Sequence, residues 1–165
     1  MFEDETGFTL HPRLGIGWAK RGKRLRIPTT SQHRTRLNVF GWVAPLLGRK
    51  GLMRHVQGNR EGFLLCLRQL CLRLRGYKIW LYLDKARWHQ GTEVDLFVQS
   101  HQRLQLEYLP CYQPGLNLQE RIWRQIRYEV TTNRWFATLE ETWVTVQKTT
   151  HSWTQAKIKR LCNVN

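Results

Sequence analysis

The chain has 165 residues, 41% of them hydrophobic and 12% aromatic, which excludes intrinsic disorder and suffices for one compact domain with a real core. Lys and Arg number 27 against 12 Asp and Glu, a formal net charge of +15, so the surface suits a polyanion better than an anionic membrane, for which no basic amphipathic segment stands out. The apolar runs, such as Ile79 to Leu83, fall far short of the roughly 20 residues a bilayer requires, the start MFEDETGF has no signal-peptide character, and the four cysteines at 66, 71, 111 and 162 form neither a Cys-x-x-Cys pair nor a zinc-ligand spacing, which together indicate a reduced, cytoplasmic protein.

In chain order, FEDETGFTL, GIGWAKRGKRLRIP and RLNVFGWVAP are short, Gly-punctuated and rich in aromatic and β-branched residues, which predicts three strands joined by hairpins. Arg21-Gly22 is the expected tip of the second, a strongly basic one flanked by Lys20, Lys23, Arg24 and Arg26. The rhythm then changes. EGFLLCLRQLCLRLRG carries Leu64, Leu67, Cys71 and Leu74 near helical spacing, with Arg68, Arg73 and Arg75 interleaved, and stops at Gly76. KIWLYLD is a continuous apolar run ending in Asp84, the pattern of a strand buried on both faces. A helix over about Glu93 to Ser100, capped by Thr92, precedes the strand LQLEYLP. A further helix over Leu118 to about Val130 gathers Leu118, Ile122, Trp123 and Ile126 on one side. Asn117 and Glu120 stand at capping-box spacing at its start, as Thr138 and Glu141 do before a last helix reaching roughly Thr149. Hairpins followed by alternating strands and helices imply an α/β mixed sheet with helices on its faces.

In so basic a chain the carboxylates are informative, and only three are Asp: Asp4, Asp84 and Asp95. Asp4 lies in the first strand, Asp84 closes the apolar strand, and Glu120 opens the helix after the next strand. The carboxyl ends of strands in such sheets are where ligands gather. Carboxylates converging there repel one another unless cations compensate them, and Mg²⁺ takes hard oxygen ligands together with substrate phosphates. Two such ions held about 4 Å apart serve phosphodiester displacement. Each residue also has a plainer reading: Asp84 as a turn residue, Asp4 near a frayed end, Glu120 as a cap or a partner of Arg124 one turn on.

Taken together, FEDETGF, GWAKRG, NVFGWV, IWLYLDKARWHQG and LPCYQPGLNLQERIWRQIR resemble, in the right order over roughly residues 2 to 135, the DDE endonuclease domain of bacterial insertion-sequence transposases in the mariner-like superfamily. The resemblance implies a ribonuclease-H-like fold and an Asp, Asp, Glu triad that works with two Mg²⁺ ions, replaceable by Mn²⁺, to cut and join DNA. By motif, Asp4, Asp84 and Glu120 match the triad, and the interval from Asp84 to Glu120 is one the family keeps. The framework residues Pro110, Tyr112, Pro114, Leu116 and Asn117 match as well. Departures stand beside them: Lys85 replaces the Asn usual after the second Asp, and Cys111, Gln113, Leu118 and Gln119 occupy the varied positions before Glu120.

These readings make the chain a single DDE-type catalytic domain over residues 1–165, without the helix-turn-helix region that reads element ends and with a first strand read as cropped. The alternatives are a non-catalytic DNA-binding remnant of such a transposase and, less favoured, a ribonuclease-H-like nuclease. Expected DNA contacts are Lys20, Arg21, Lys23, Arg24, Lys85, His89, Arg121 and Arg124, with His89 also a candidate for orienting the site. Expected partners are DNA at element ends and target, a second copy of the chain as a homodimer, and a separate or frameshift-joined helix-turn-helix segment.

Overall fold

A computed structural model of the chain describes residues 1–30, 35–111 and 113–164. The strands are β1 (Phe2–Thr9), β2 (Arg36–Ala44), β3 (Arg49–His55), β4 (Ile79–Leu83) and β5 (Leu104–Tyr108). The helices are α1 (Arg60–Arg73), α2 (Thr92–Gln99), α3 (Gln119–Ile126), α4 (Leu139–His151) and α5 (Gln155–Leu161). The described residues fall into two compact units. Met1–Thr6, Asn38–Ile122 and Thr154–Asn165 form the first; Gly7–Leu37 and Trp123–Trp153 form the second.

The five strands make one mixed sheet in the order β3-β2-β1-β4-β5. β2 and β3 run antiparallel in register from Asn38↔His55 to Ala44↔Arg49, whereas β4 lies parallel to both β1 and β5. β3, RKGLMRH, has no strand signature of its own and is absent from the sequence-based expectation. It forms because Gly48, at φ +60°, closes a tight turn that returns the chain along β2. A side chain at Gly48 would also strike the Gln155 carbonyl oxygen, 2.6 Å from an ideal Cβ.

The core of the first unit lies between the sheet and α1. Phe63, Cys66, Leu67, Leu70, Cys71 and Leu74 recur at helical spacing and pack with Phe40, Trp42, Ala44, Ile79, Leu81, Leu83, Val94 and Leu104. Each fully buried Leu or Phe among them contributes roughly 1.5–3 kcal/mol. α1 is capped by Asn59, whose side chain accepts from Gly62 N–H at 3.0 Å.

β4 corrects the expectation of a doubly buried strand. Ile79, Leu81 and Leu83 are buried, but Trp80 and Tyr82 are 55% and 38% exposed, so the unbroken apolar run hides a period-two strand whose outer face is aromatic. Those rings are used at the surface: Trp80 Nε1 donates to Gln105 Oε1 at 2.7 Å and Tyr82 stacks on Phe2. In α2, Thr92 is already helical; the cap is Gly91, with no side-chain bond.

In the second unit the expected strand over residues 15–28 does not form. The turn at its tip does, with Lys23 N–H donating to Lys20 O at 2.9 Å and Gly22 at φ +78°. The flanks carry the β-forming residues Ile16 and Trp18, which among the described residues have no strand beside them, and both are fully exposed. Propensity without a partner builds no strand. The segment is instead tied down by Asn133, whose Oδ1 accepts from Gly15 N–H at 2.9 Å and whose Nδ2 donates to the Gly15 carbonyl at 3.0 Å. Phe8 meets Trp123 edge to face, and Trp153 Nε1 donates to Glu129 at 2.8 Å. α3 continues into a π-helical turn, Arg127–Thr131. α4 opens as its sequence predicts, with Thr138 Oγ1 accepting from Glu141 N–H at 3.1 Å; the Glu141 carboxylate returns to Ala137 N–H rather than to Thr138 itself. α5 is a helix the sequence reading lacks.

Candidate active site

Three elements of the first unit bring acids together. β1 supplies Asp4, the end of β4 supplies Asp84, and the first turn of α3 supplies Glu120. All three line one cavity of about 420 Å³, with Lys85, Leu109, Pro110, Cys111, Gln113 and Asn117 also on its wall. The parallel pairing of β4 with β1 and β5 puts Asp84 just past a strand's carboxyl end, and the stiff exit from β5 delivers the start of α3 to the same rim.

Asn117 decides which way Glu120 is used. Its Oδ1 accepts from Gln119 N–H at 3.1 Å, capping the helix, while its Nδ2 donates to the Glu3 backbone carbonyl at 2.8 Å. One buried amide therefore caps α3 and ties its first turn to β1. The reciprocal half of a capping box is not needed, and the Glu120 carboxylate is left to the cavity beside Asp4. Tyr112, which the sequence motif includes, lies outside the described residues.

The acids of the cavity titrate in opposite directions. Burial first, and then the charges of Glu120, Glu5 and Asp84, raise the Asp4 carboxyl to about 8. Asp84 behaves oppositely. A hydrogen bond from His89 holds its carboxyl below the usual range, against the effect of burial, and Ala86 N–H adds a second bond at 2.9 Å. His89 Nδ1 lies 2.8 Å from Asp84 Oδ1 and 3.1 Å from the Asp84 carbonyl oxygen, both acceptors, so Nδ1 carries the proton. A carboxyl whose proton is retained to about 8 by burial and by neighbouring carboxylates is one that a divalent cation would free. The donor set, three carboxylates open to solvent on one side, fits a hard cation such as Mg²⁺ or Mn²⁺.

The remaining expected contacts divide. Lys85 is exposed at the cavity wall, next to Asp84. Arg121 is half-buried on α3 in the first unit, and Arg124 is exposed on the same helix in the second. Lys20, Arg21, Lys23 and Arg24 are exposed around the turn of the second unit. His89 corrects the expectation of a DNA contact: its side chain is fully buried, 4.5 Å from the Phe63 ring centre, and is spent on Asp84 and on two glutamates of β1. Those glutamates, Glu3 and Glu5, went unremarked in the sequence; the signal that points to them is three consecutive acids, Glu3, Asp4 and Glu5, in a chain with so few.

The strand order and the acids gathered at the strand ends describe an α/β scaffold with a candidate cation site, and comparison with known proteins gives it a family. The model of the DDE superfamily endonuclease family matches residues 1–142, and the chain belongs to that family. It is 26% identical over 154 residues to an insertion element IS630 uncharacterized 39 kDa protein of Shigella sonnei; the match takes in 91% of this chain and 43% of that protein. The chain thus spans less than half the length of this relative. Among solved structures, the Mos1 transposase paired-end complex with left transposon end matches with a TM-score of 0.70 at 14% identity, over 98% of this chain and 50% of that one. The catalytic domain of Mos1 mariner transposase matches at 0.67 and 12% identity, over 98% and 74%. The fold is ribonuclease-H-like. Among the described residues, no helix is long and apolar enough to cross a membrane.

Proposed function

We propose that the chain is the catalytic part of an insertion-sequence transposase, holding two divalent cations, Mg²⁺ or Mn²⁺, on Asp4, Asp84 and Glu120 and cutting and joining DNA. The observation that carries this reading is the convergence of those three carboxylates, from β1, β4 and α3, on one cavity. The cations, when bound, supply activation of the attacking oxygen and charge compensation at the leaving one. The chain's own residues do the positioning. Asn117 fixes the first turn of α3 against β1, and so fixes Glu120 relative to Asp4. His89 and Ala86 N–H orient and ionise Asp84. Lys85, exposed beside Asp84, meets a phosphate oxygen rather than a cation, and the net charge of +15 steers DNA to the acid-lined cavity. Lys20, Arg21, Lys23, Arg24, Arg121 and Arg124 are the proposed backbone contacts. The reading calls for a second copy of the chain and for a helix-turn-helix segment that reads element ends. It places the protein in the cytoplasm with its DNA, where the four free cysteines stay reduced.

The test is metal-dependent nicking of DNA carrying element ends. Activity is expected with Mg²⁺ or Mn²⁺, and a loss of more than about a hundredfold in Asp84→Ala, since even residues that merely orient a metal ligand cost about 10–100-fold. Folded wild-type protein that binds DNA in a salt-dependent way, yet neither nicks it nor gains stability from either metal, is a non-catalytic remnant, and the catalytic reading then fails.

A further inference from the structure

We propose that Glu3, Glu5 and His89 form a second metal site, buried behind the acid-lined cavity, which takes one zinc-type divalent cation on two carboxylate oxygens and one imidazole nitrogen. Glu3 and His89 side chains are fully buried and Glu5 is 15% exposed. One ligand atom from each of the three residues lies within 4.8 Å of the others.

Three features point to a cation rather than to a hydrogen-bonded cluster. First, His89 Nε2 stands 3.4 Å from Glu3 Oε2 and 3.5 Å from Glu5 Oε2. These separations exceed the usual limit of about 3.2 Å for an N–H···O bond. They equal the ligand-to-ligand edge, about 3.3–3.6 Å, of a tetrahedral ion with bonds of about 2.0–2.2 Å. Second, both oxygens of Glu3, Glu5 Oε2 and His89 Nε2 are buried without a hydrogen-bond partner. Buried polar atoms left in that state are costly, and four in one cluster are exceptional. Third, Nδ1 is turned to Asp84, so Nε2 is the ring nitrogen that faces the two carboxylates. A divalent cation there neutralises both carboxylates at once. A proton on Nε2 neutralises one, and still leaves Glu3 Oε1 without a partner.

Asp84, His89 and the ion would then stand in the carboxylate–histidine–metal order that commonly fixes the tautomer of a metal-binding histidine. The buried ion would lock Nδ1–H on Asp84 and thereby fix the carboxylate that lines the cavity. Glu5, the one partly exposed member, marks the side from which the ion enters.

The experiment uses full-length protein carrying Asp4→Asn and Glu120→Gln, which disables the cavity as a metal site and leaves the buried cluster intact. The protein is unfolded in EDTA, freed of chelator and refolded with Co²⁺. The expected result is one equivalent bound, the intense visible absorption of tetrahedral Co²⁺, its displacement by Zn²⁺, and a raised melting temperature. Adding Glu3→Gln, or His89→Gln as a second route, should weaken binding more than about a hundredfold. A folded, unsubstituted cluster that shows no tetrahedral Co²⁺ spectrum overturns the proposal, whatever the variants do. DNA cleavage is not the readout, so a chain that nicks no DNA but binds Co²⁺ here refutes the preceding reading and keeps this one.

Discussion

Asp4→Asn should stabilise the metal-free protein, by an amount that grows with pH. Asp4 is 3.8 in its ordinary state and about 8 in the fold, raised by burial and by Glu120, Glu5 and Asp84. Between those values the unfolded chain has lost the proton and the folded chain keeps it, so folding takes up a proton and stability falls as pH rises, by about 1.4 kcal/mol per unit. From pH 5 to pH 7 the wild type should therefore lose about 2.7 kcal/mol relative to Asp4→Asn. In a chain of this size that corresponds to a difference in melting temperature on the order of 5–10 °C. His89, raised to about 10 by its carboxylate neighbours despite burial, loses stability above its unfolded value near 6.5, but it is present in both proteins and cancels from the difference. The assay is urea denaturation in EDTA at pH 5, 6 and 7, followed by Mg²⁺ addition at pH 7. Mg²⁺ should restore wild-type stability and do little for the variant, because the cation competes with the proton on Asp4. A wild-type-minus-variant difference that stays flat across the three pH values would falsify the account of Asp4 as a buried, repelled carboxyl.

Three further outcomes test the surroundings. Trp123→Ala, which empties a fully buried position against Phe8, should cost about 3–5 kcal/mol in urea melts; a cost under about 1 kcal/mol means that the second unit does not rest on this ring. Thr138→Ala removes the acceptor of Glu141 N–H and should cost about 1 kcal/mol, whereas Thr138→Asn should cost little. Replacing Lys20, Arg21, Lys23 and Arg24 by Ala should weaken binding to unrelated DNA sequences alike and lower the slope of log affinity against log salt by about one for each phosphate that is no longer neutralised. An unchanged slope removes the basic turn from the DNA interface.

The sequence discloses those elements whose side chains carry their own pattern. α1 is legible because Leu67, Cys71 and Leu74 meet the core at helical spacing, and β5 because its flanks are punctuated. β3 is illegible because its strand character is conferred by the partner: seven residues dominated by Lys, Arg and Gly pair with β2 once Gly48 turns the chain. The strand expected at residues 15–28 fails for the same cause, since Ile16 and Trp18 have strand propensity but, among the described residues, no neighbouring strand. Within the site, Asp84 and Glu120 stand at recognisable junctions of strand and helix. The role of His89 turns on depth. A histidine in a basic loop resembles a phosphate contact until its burial beside Asp84 is known.

Three consecutive acids on one strand have a structural logic that joins the two clusters. Strand period two sends neighbouring side chains to opposite faces, and here Asp4 lines the cavity with Glu120 while Glu3 and Glu5 reach His89. Asp84 belongs to both, because one carboxylate lines the cavity and also takes the His89 proton. Disturbance at His89 should therefore reach the cavity through the bond it makes to Asp84. Effects of His89→Gln and Asp84→Asn on metal affinity of the cavity should overlap strongly, with a coupling of about 0.5–3 kcal/mol in a double-mutant cycle. Glu120→Gln acts from another element, so with His89→Gln it should combine nearly additively. Additivity of both pairs would mean that His89 acts on the cavity by some route other than the bond it makes to Asp84.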